Sequence, residues 1–155
     1  HMDRSSSNMT KMSYLPGTKK EMDSLSAILT EKNWKIISFS ETEASENNFK
    51  TELTRRPPSV LHIATHGFAF PEIKKDKTIS TAPINDYINA EDPMSRCGLM
   101  LSGSNFSWTG KADSILIKTG EDGILTALEV SHLTLKNTKL VVLSACETGL
   151  GKIEG

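Results

Sequence analysis

Val60-Leu61-His62-Ile63-Ala64-Thr65, closed by His66-Gly67, and Leu140-Val141-Val142-Leu143-Ser144-Ala145, closed by Cys146, decide how this chain is read. Each is a continuous β-branched and aliphatic run of the length that suits a parallel strand covered on both faces. In an open parallel sheet, ligands and chemistry gather just beyond the carboxyl ends of the strands. One run therefore delivers a histidine to that rim and the other a cysteine. If the two strands are neighbours, imidazole and thiol come within hydrogen-bond reach, the minimum equipment of a cysteine nucleophile and its base.

The 155 residues suffice for one domain with a real core and are too few for two ordinary ones. A net charge of −1 gives no attraction for nucleic acid or an anionic membrane surface. No apolar run approaches the roughly 18 residues of a membrane span, and no signal peptide is read at the start. His1-Met2 reads as a tag remnant, and residues 1–13 as a disordered lead without periodicity. Two cysteines, Cys97 and Cys146, supply neither a disulfide framework nor a paired metal spacing, so a reducing, cytoplasmic setting is expected.

Pro16-Gly17 followed by Thr18-Lys19-Lys20-Glu21 reads as a turn and a capping box opening a helix, with Met22, Leu25, Ile28 and Leu29 on its apolar face. Trp34 to Phe39 reads as a strand. A second helix is expected from Ser45, with Phe49 and Leu53 one turn apart and Pro57-Pro58 ending it. From Gly67 to Cys97 the sequence is polar and interrupted by prolines, a long surface excursion with its loosest point at Lys74–Lys77. Gly98 to Gly103 reads as a short strand or hairpin arm, and residues 104–122 as a second variable stretch. Asp122-Gly123 reads as a turn, and Thr126-Ala127-Leu128-Glu129 as another capping box, opening a short helix before the Cys146 strand. Trp34 is expected in the core and Trp108 on the surface.

Each candidate has a plainer reading. Cys146 suits an ordinary buried thiol, since free cysteine is among the most buried residue types. The glycines after it, in Glu147-Thr148-Gly149-Leu150-Gly151, suit a sharp turn whose amides could serve as oxyanion donors. His66 suits a histidine satisfied at a strand end, but Gly67 beside it lets the backbone approach a substrate carbonyl closely. His62 reads as structural within its strand, His132 as a surface residue and Cys97 as packing. A zinc site from His62, His66, Cys97 and Cys146 lacks a close ligand pair of the usual spacing.

Leu61-His62-Ile63-Ala64-Thr65-His66-Gly67-Phe68, taken with Val142-Leu143-Ser144-Ala145-Cys146-Glu147-Thr148-Gly149, resembles the signature of the CHAT domain, a caspase-like cysteine peptidase family often joined to tetratricopeptide repeats. Leu15–Glu21, Glu43–Lys50, Ser95–Gly103 and Asp122–Val130 match in the same order, so the resemblance runs from Leu15 to Gly155. It implies an α/β fold, a caspase-like three-layer sandwich with a mainly parallel sheet, incomplete in this chain, with residues 14–155 forming a partial peptidase domain. It also implies Cys146 as nucleophile, His66 as its partner, and the backbone amides of Gly67 and Cys146 as oxyanion donors. No cofactor and no metal is implied. The implied partners are a protein substrate and a tetratricopeptide-repeat region or other regulatory partner, without nucleic acid or membrane. Two residues before the nucleophile, caspases carry Gln and metacaspases Asp; here the position is Ser144, so the resemblance gives no cleavage preference. Three functions follow as expectations: an endopeptidase working through a thioester, inactive in this fragment if the missing portion is needed; a non-catalytic interaction module; and a small-molecule hydrolase or transferase using the same thiol. If the chain stops short of the family's later strands, Leu140–Leu143 becomes an exposed edge open to self-association.

Overall fold

A computed structural model describes residues 11–72, 84–109 and 121–145. Pro16 starts the first helix, α1 (Pro16–Glu31), at its first turn, where a missing N–H costs nothing. The expected Thr18–Glu21 capping box does not form. Leu15 is the N-cap, and Thr18, already inside the helix, returns both its amide and its hydroxyl to the Leu15 carbonyl. Glu21 is thereby left for other work. A second helix, α2 (Glu46–Arg55), begins where expected, with the Ser45 hydroxyl accepting from the Asn48 amide at 3.2 Å.

Strand β1 (Val60–Ala64) is followed after Thr65 by a separate strand, β2 (His66–Ala69). Short helix α3 (Ile84–Ile88), strand β3 (Cys97–Met100) and short helix α4 (Ser104–Trp108) come next. Strand β4 (Ile124–Thr126), helix α5 (Ala127–Ser131) and strand β5 (Leu140–Ser144) complete the described order. Both halves of the Thr126–Glu129 capping box are present at the start of α5.

The architecture is mixed α/β. One sheet is the parallel pair β1–β5, in register from Val60↔Leu140 to Ala64↔Ser144. The other is antiparallel, in the order β2-β3-β4. Thr65 joins them: its amide donates to the Ser144 carbonyl at 3.2 Å, continuing the parallel ladder, and its hydroxyl donates to the Met100 carbonyl of β3. The polar surface excursion expected from Gly67 thus begins as a strand. Phe68 is buried there, its ring 5.7 Å from Trp108 and 5.4 Å from Phe70. Lys74–Lys77 lies outside the described residues.

The core is built on this antiparallel sheet, from Phe68, Met100, Trp108 and Ile124, with Met12, Phe70, Tyr87 and Ile88 packed against it. The expectation for the two tryptophans is reversed. Trp108 is 5% exposed at the end of α4, whereas Trp34 is 50% exposed in a segment that pairs with no strand among the described residues. The apolar run Trp34–Phe39 had suggested a strand, but a strand needs a partner that periodicity cannot name. Gly98 is dictated by the sheet, because a Cβ there would collide with the Leu125 carbonyl of β4. Part of the expected disordered lead is fixed. Met12 exchanges two hydrogen bonds with the Asn105 side chain, at 2.8 and 3.1 Å. No helix among the described residues is long and apolar enough to cross a membrane.

Candidate active site

Beyond the carboxyl end of the β1–β5 pair the chain runs on to His66 and Gly67 on one side and toward Cys146 on the other. Ala64 and Ser144 are register partners. His66 follows two residues after the first and Cys146 two residues after the second. Cys146, with Glu147–Gly155, lies outside the described residues.

His66 opens β2, opposite Met100, rather than ending β1. Its Nε2 is 2.7 Å from the Ser13 carbonyl oxygen, an acceptor only, so Nε2 carries the proton. That leaves Nδ1 as the ring nitrogen not engaged by the Ser13 carbonyl. Gly67 lies opposite Leu99 in the ladder. The Phe70 amide donates to the Arg96 carbonyl, which fixes the alternation along β2. His66, Phe68 and Phe70 face β3, and the Gly67 amide points off the other side. That side is the edge of its sheet among the described residues.

Glu21 is the residue the sequence did not single out. It reaches from α1 to both sequence runs, with Oε1 2.9 Å from His62 Nε2 and Oε2 accepting from the Ser144 hydroxyl at 2.9 Å. These partners are 41 and 123 positions away. In the sequence Glu21 looked like half of a capping box, and no local signal could have revealed its real neighbours. His62 is structural as expected, but through a charged partner rather than through packing alone. Its Nδ1 is buried without a hydrogen-bond partner among the described residues. An open cavity of about 470 Å³ lies beside this cluster, lined by Leu15–Thr18, Glu21, Thr65 and Leu143–Ala145.

A second charged group sits under the antiparallel sheet. Glu46, 1% exposed, accepts from the Gly123 amide at 3.1 Å and pairs with Lys50, which also reaches Glu129 at 3.1 Å. Burial raises the Glu46 carboxyl from 4.5 to about 7, against the opposing pull of Lys50. Burial also pushes Glu129 up, but the Thr126 amide and hydroxyl, with Lys50, outweigh it and hold that carboxyl below its ordinary value. Burial pushes the Lys50 ammonium down, and its two carboxylate partners more than reverse this. Tyr87 donates to Asp122 nearby. This network ties α2 to β4 and α5 and contains none of the residues expected to do chemistry. His132 is exposed, as expected for a surface residue, and Cys97 lies half-buried within β3. Among the described residues, no three His, Cys, Asp or Glu side chains are grouped to hold a metal ion.

The sequence profile of the CHAT domain matches residues 2–155. The chain belongs to the CHAT domain family. Membership makes it a caspase-like, peptidase-related domain. No curated protein and no solved structure matches the chain.

Proposed function

We propose that this CHAT domain is a cysteine endopeptidase in which Cys146 is the nucleophile and His66 its acid–base partner. The observation that carries the reading is the in-register parallel pair β1–β5, whose last partners Ala64 and Ser144 are each followed two positions later in the sequence by His66 and Cys146. His66 takes the thiol proton, and the thiolate sulfur bonds to the carbonyl carbon of a peptide bond. The tetrahedral oxyanion is received by the backbone amides of Gly67 and Cys146. As the C–N bond breaks, His66 returns the proton to the leaving amine. Water then hydrolyses the thioester with His66 again as base, releasing the acid product and the thiol. A thiol needs less activation than a hydroxyl, so a dyad without a third acidic member suffices. The half-exposed His66, with Nε2 held by Ser13, and the Gly67 amide on an edge left unpaired among the described residues support these roles. The reading draws on no cofactor, and its substrate is a protein.

The test is digestion of a defined peptide mixture, with cut sites mapped by mass spectrometry, using the chain and its Cys146→Ser and His66→Ala variants. Each variant is expected to lose at least about a hundredfold in rate. Cutting that survives Cys146→Ser would overturn the proposal. The second reading, an interaction module, draws on the exposed apolar edge of β5. It predicts no cutting by any form and partner binding that Cys146→Ser leaves unchanged.

A further inference from the structure

The cavity beside the β1–β5 ends has walls of two kinds. Leu15, Pro16, Leu143 and Ala145 give it an apolar wall, and Glu21 is the one charged residue lining it among the described residues. Ala145, which lines it, directly precedes Cys146 in the sequence. Its volume of about 470 Å³ admits a long side chain.

We infer that this cavity is a subsite for a lysine or arginine side chain of the substrate, with Glu21 as the residue that selects it. The aliphatic stem of either residue packs against the apolar walls and its charged head reaches the carboxylate. An ionised carboxylate accepts about four hydrogen bonds. His62 and the Ser144 hydroxyl use two, which orient Glu21 and leave capacity for a cation. Ser144 carries no charge itself, so the selectivity of the strand end comes from α1.

One feature opposes this: the amino end of α1 also lines the cavity, and helix amino ends favour anions. Its pull is about half a charge, shared over the first turn. Here it is weaker still, because Pro16 has no N–H and the Thr18 amide is spent on the Leu15 carbonyl. The full charge of Glu21, on the second turn of the same helix, outweighs it.

The inference rests on the peptidase reading, and two experiments on the full chain separate them. In the first, Nα-acetyl-arginine methylamide is titrated against the protein by NMR and compared with the uncharged citrulline and acidic glutamate analogues. The arginine compound is expected to shift the Thr65 and Ser144 amides and to bind about tenfold or more tightly than citrulline. Glu21→Gln, which keeps an acceptor for Ser144, should abolish that difference. Equal binding of citrulline, which needs no mutant to fold, or tighter binding of glutamate, would overturn the inference. In the second, peptide electrophiles bearing arginine or norleucine before the reactive group are tested for labelling of Cys146. Labelling that prefers arginine at least about tenfold supports the inference. Equal labelling by both contradicts it and leaves the peptidase reading standing. Selective arginine binding without any labelling retains the cation site and removes the peptidase.

Discussion

The two tryptophans show what single residues hold and what their sequence context conceals. Trp108 stacks on Phe70 at 5.9 Å and meets Phe68 edge-on, so Trp108→Ala should cost about 3–5 kcal/mol, as truncation of a buried aromatic does. Trp34→Ala, at a half-exposed site, should cost about 0.5 kcal/mol or less. Chemical denaturation of both variants checks the pair, and equal losses would contradict the observed packing. Glu46 gives a prediction in pH. Its carboxyl is higher in the folded chain (about 7) than its ordinary 4.5, so the fold binds the proton more tightly than the unfolded chain does. The stabilisation is therefore complete below about pH 4.5 and is lost as pH rises through about 7. Relative to Glu46→Gln, the unmodified chain should lose about 1–3 kcal/mol between pH 4.5 and 8. Parallel stability profiles without that divergence would show that folding leaves the Glu46 carboxyl at its ordinary value. Glu129, held low, has the opposite sign: its contribution is present above its unfolded value and falls away in acid.

Elements were legible in proportion to how locally they are determined. The β1 and β5 runs, the α2 cap at Ser45 and the Thr126–Glu129 capping box all declare themselves within a few residues. β2 does not. His66-Gly67 reads as the close of the first strand and the start of a surface excursion, and it becomes a strand of its own only because Cys97–Met100 pairs with it from some thirty positions away. β4 was missed for the same reason, its three residues being a strand solely through β3. Pro16 overrode the Thr18–Glu21 capping pattern by starting α1 early, which is how Glu21 came to face the strand ends. β5 shows the converse, a strand with more apolar surface than its neighbours cover. Leu140, Val141, Val142 and Leu143 are 37–52% exposed, and β5 pairs with β1 alone among the described residues. An unpaired apolar edge is a template for another strand. A second copy of the chain carries the same edge, so sedimentation should show association that grows with concentration. Val141→Lys should reduce it while changing stability by about 0.5 kcal/mol or less. Association unaltered by that charge would place the contact elsewhere.

In the whole molecule, two small sheets share Thr65, and the division of labour follows from that junction. The antiparallel sheet holds the aromatic core and the Glu46–Lys50–Glu129 network, while the parallel pair carries the strand ends to which the family signature points. The class of fold and the place of His66 just beyond β1 could be read from the sequence, because motif and strand pattern coincide there. The cavity, the Glu21 bridge and the tie between Ser13 and His66 could not, because each joins residues far apart in the chain. The account stands or falls on whether Cys146 is a nucleophile activated by His66. The most direct measurement is intact-mass and peptide-mapping analysis after treatment with an arginyl peptide acyloxymethyl ketone, for the chain and for His66→Ala. The account predicts a single adduct on Cys146, formed at least about a hundredfold more slowly without His66. An adduct on Cys97, or labelling of Cys146 at the same rate without the histidine, would contradict it.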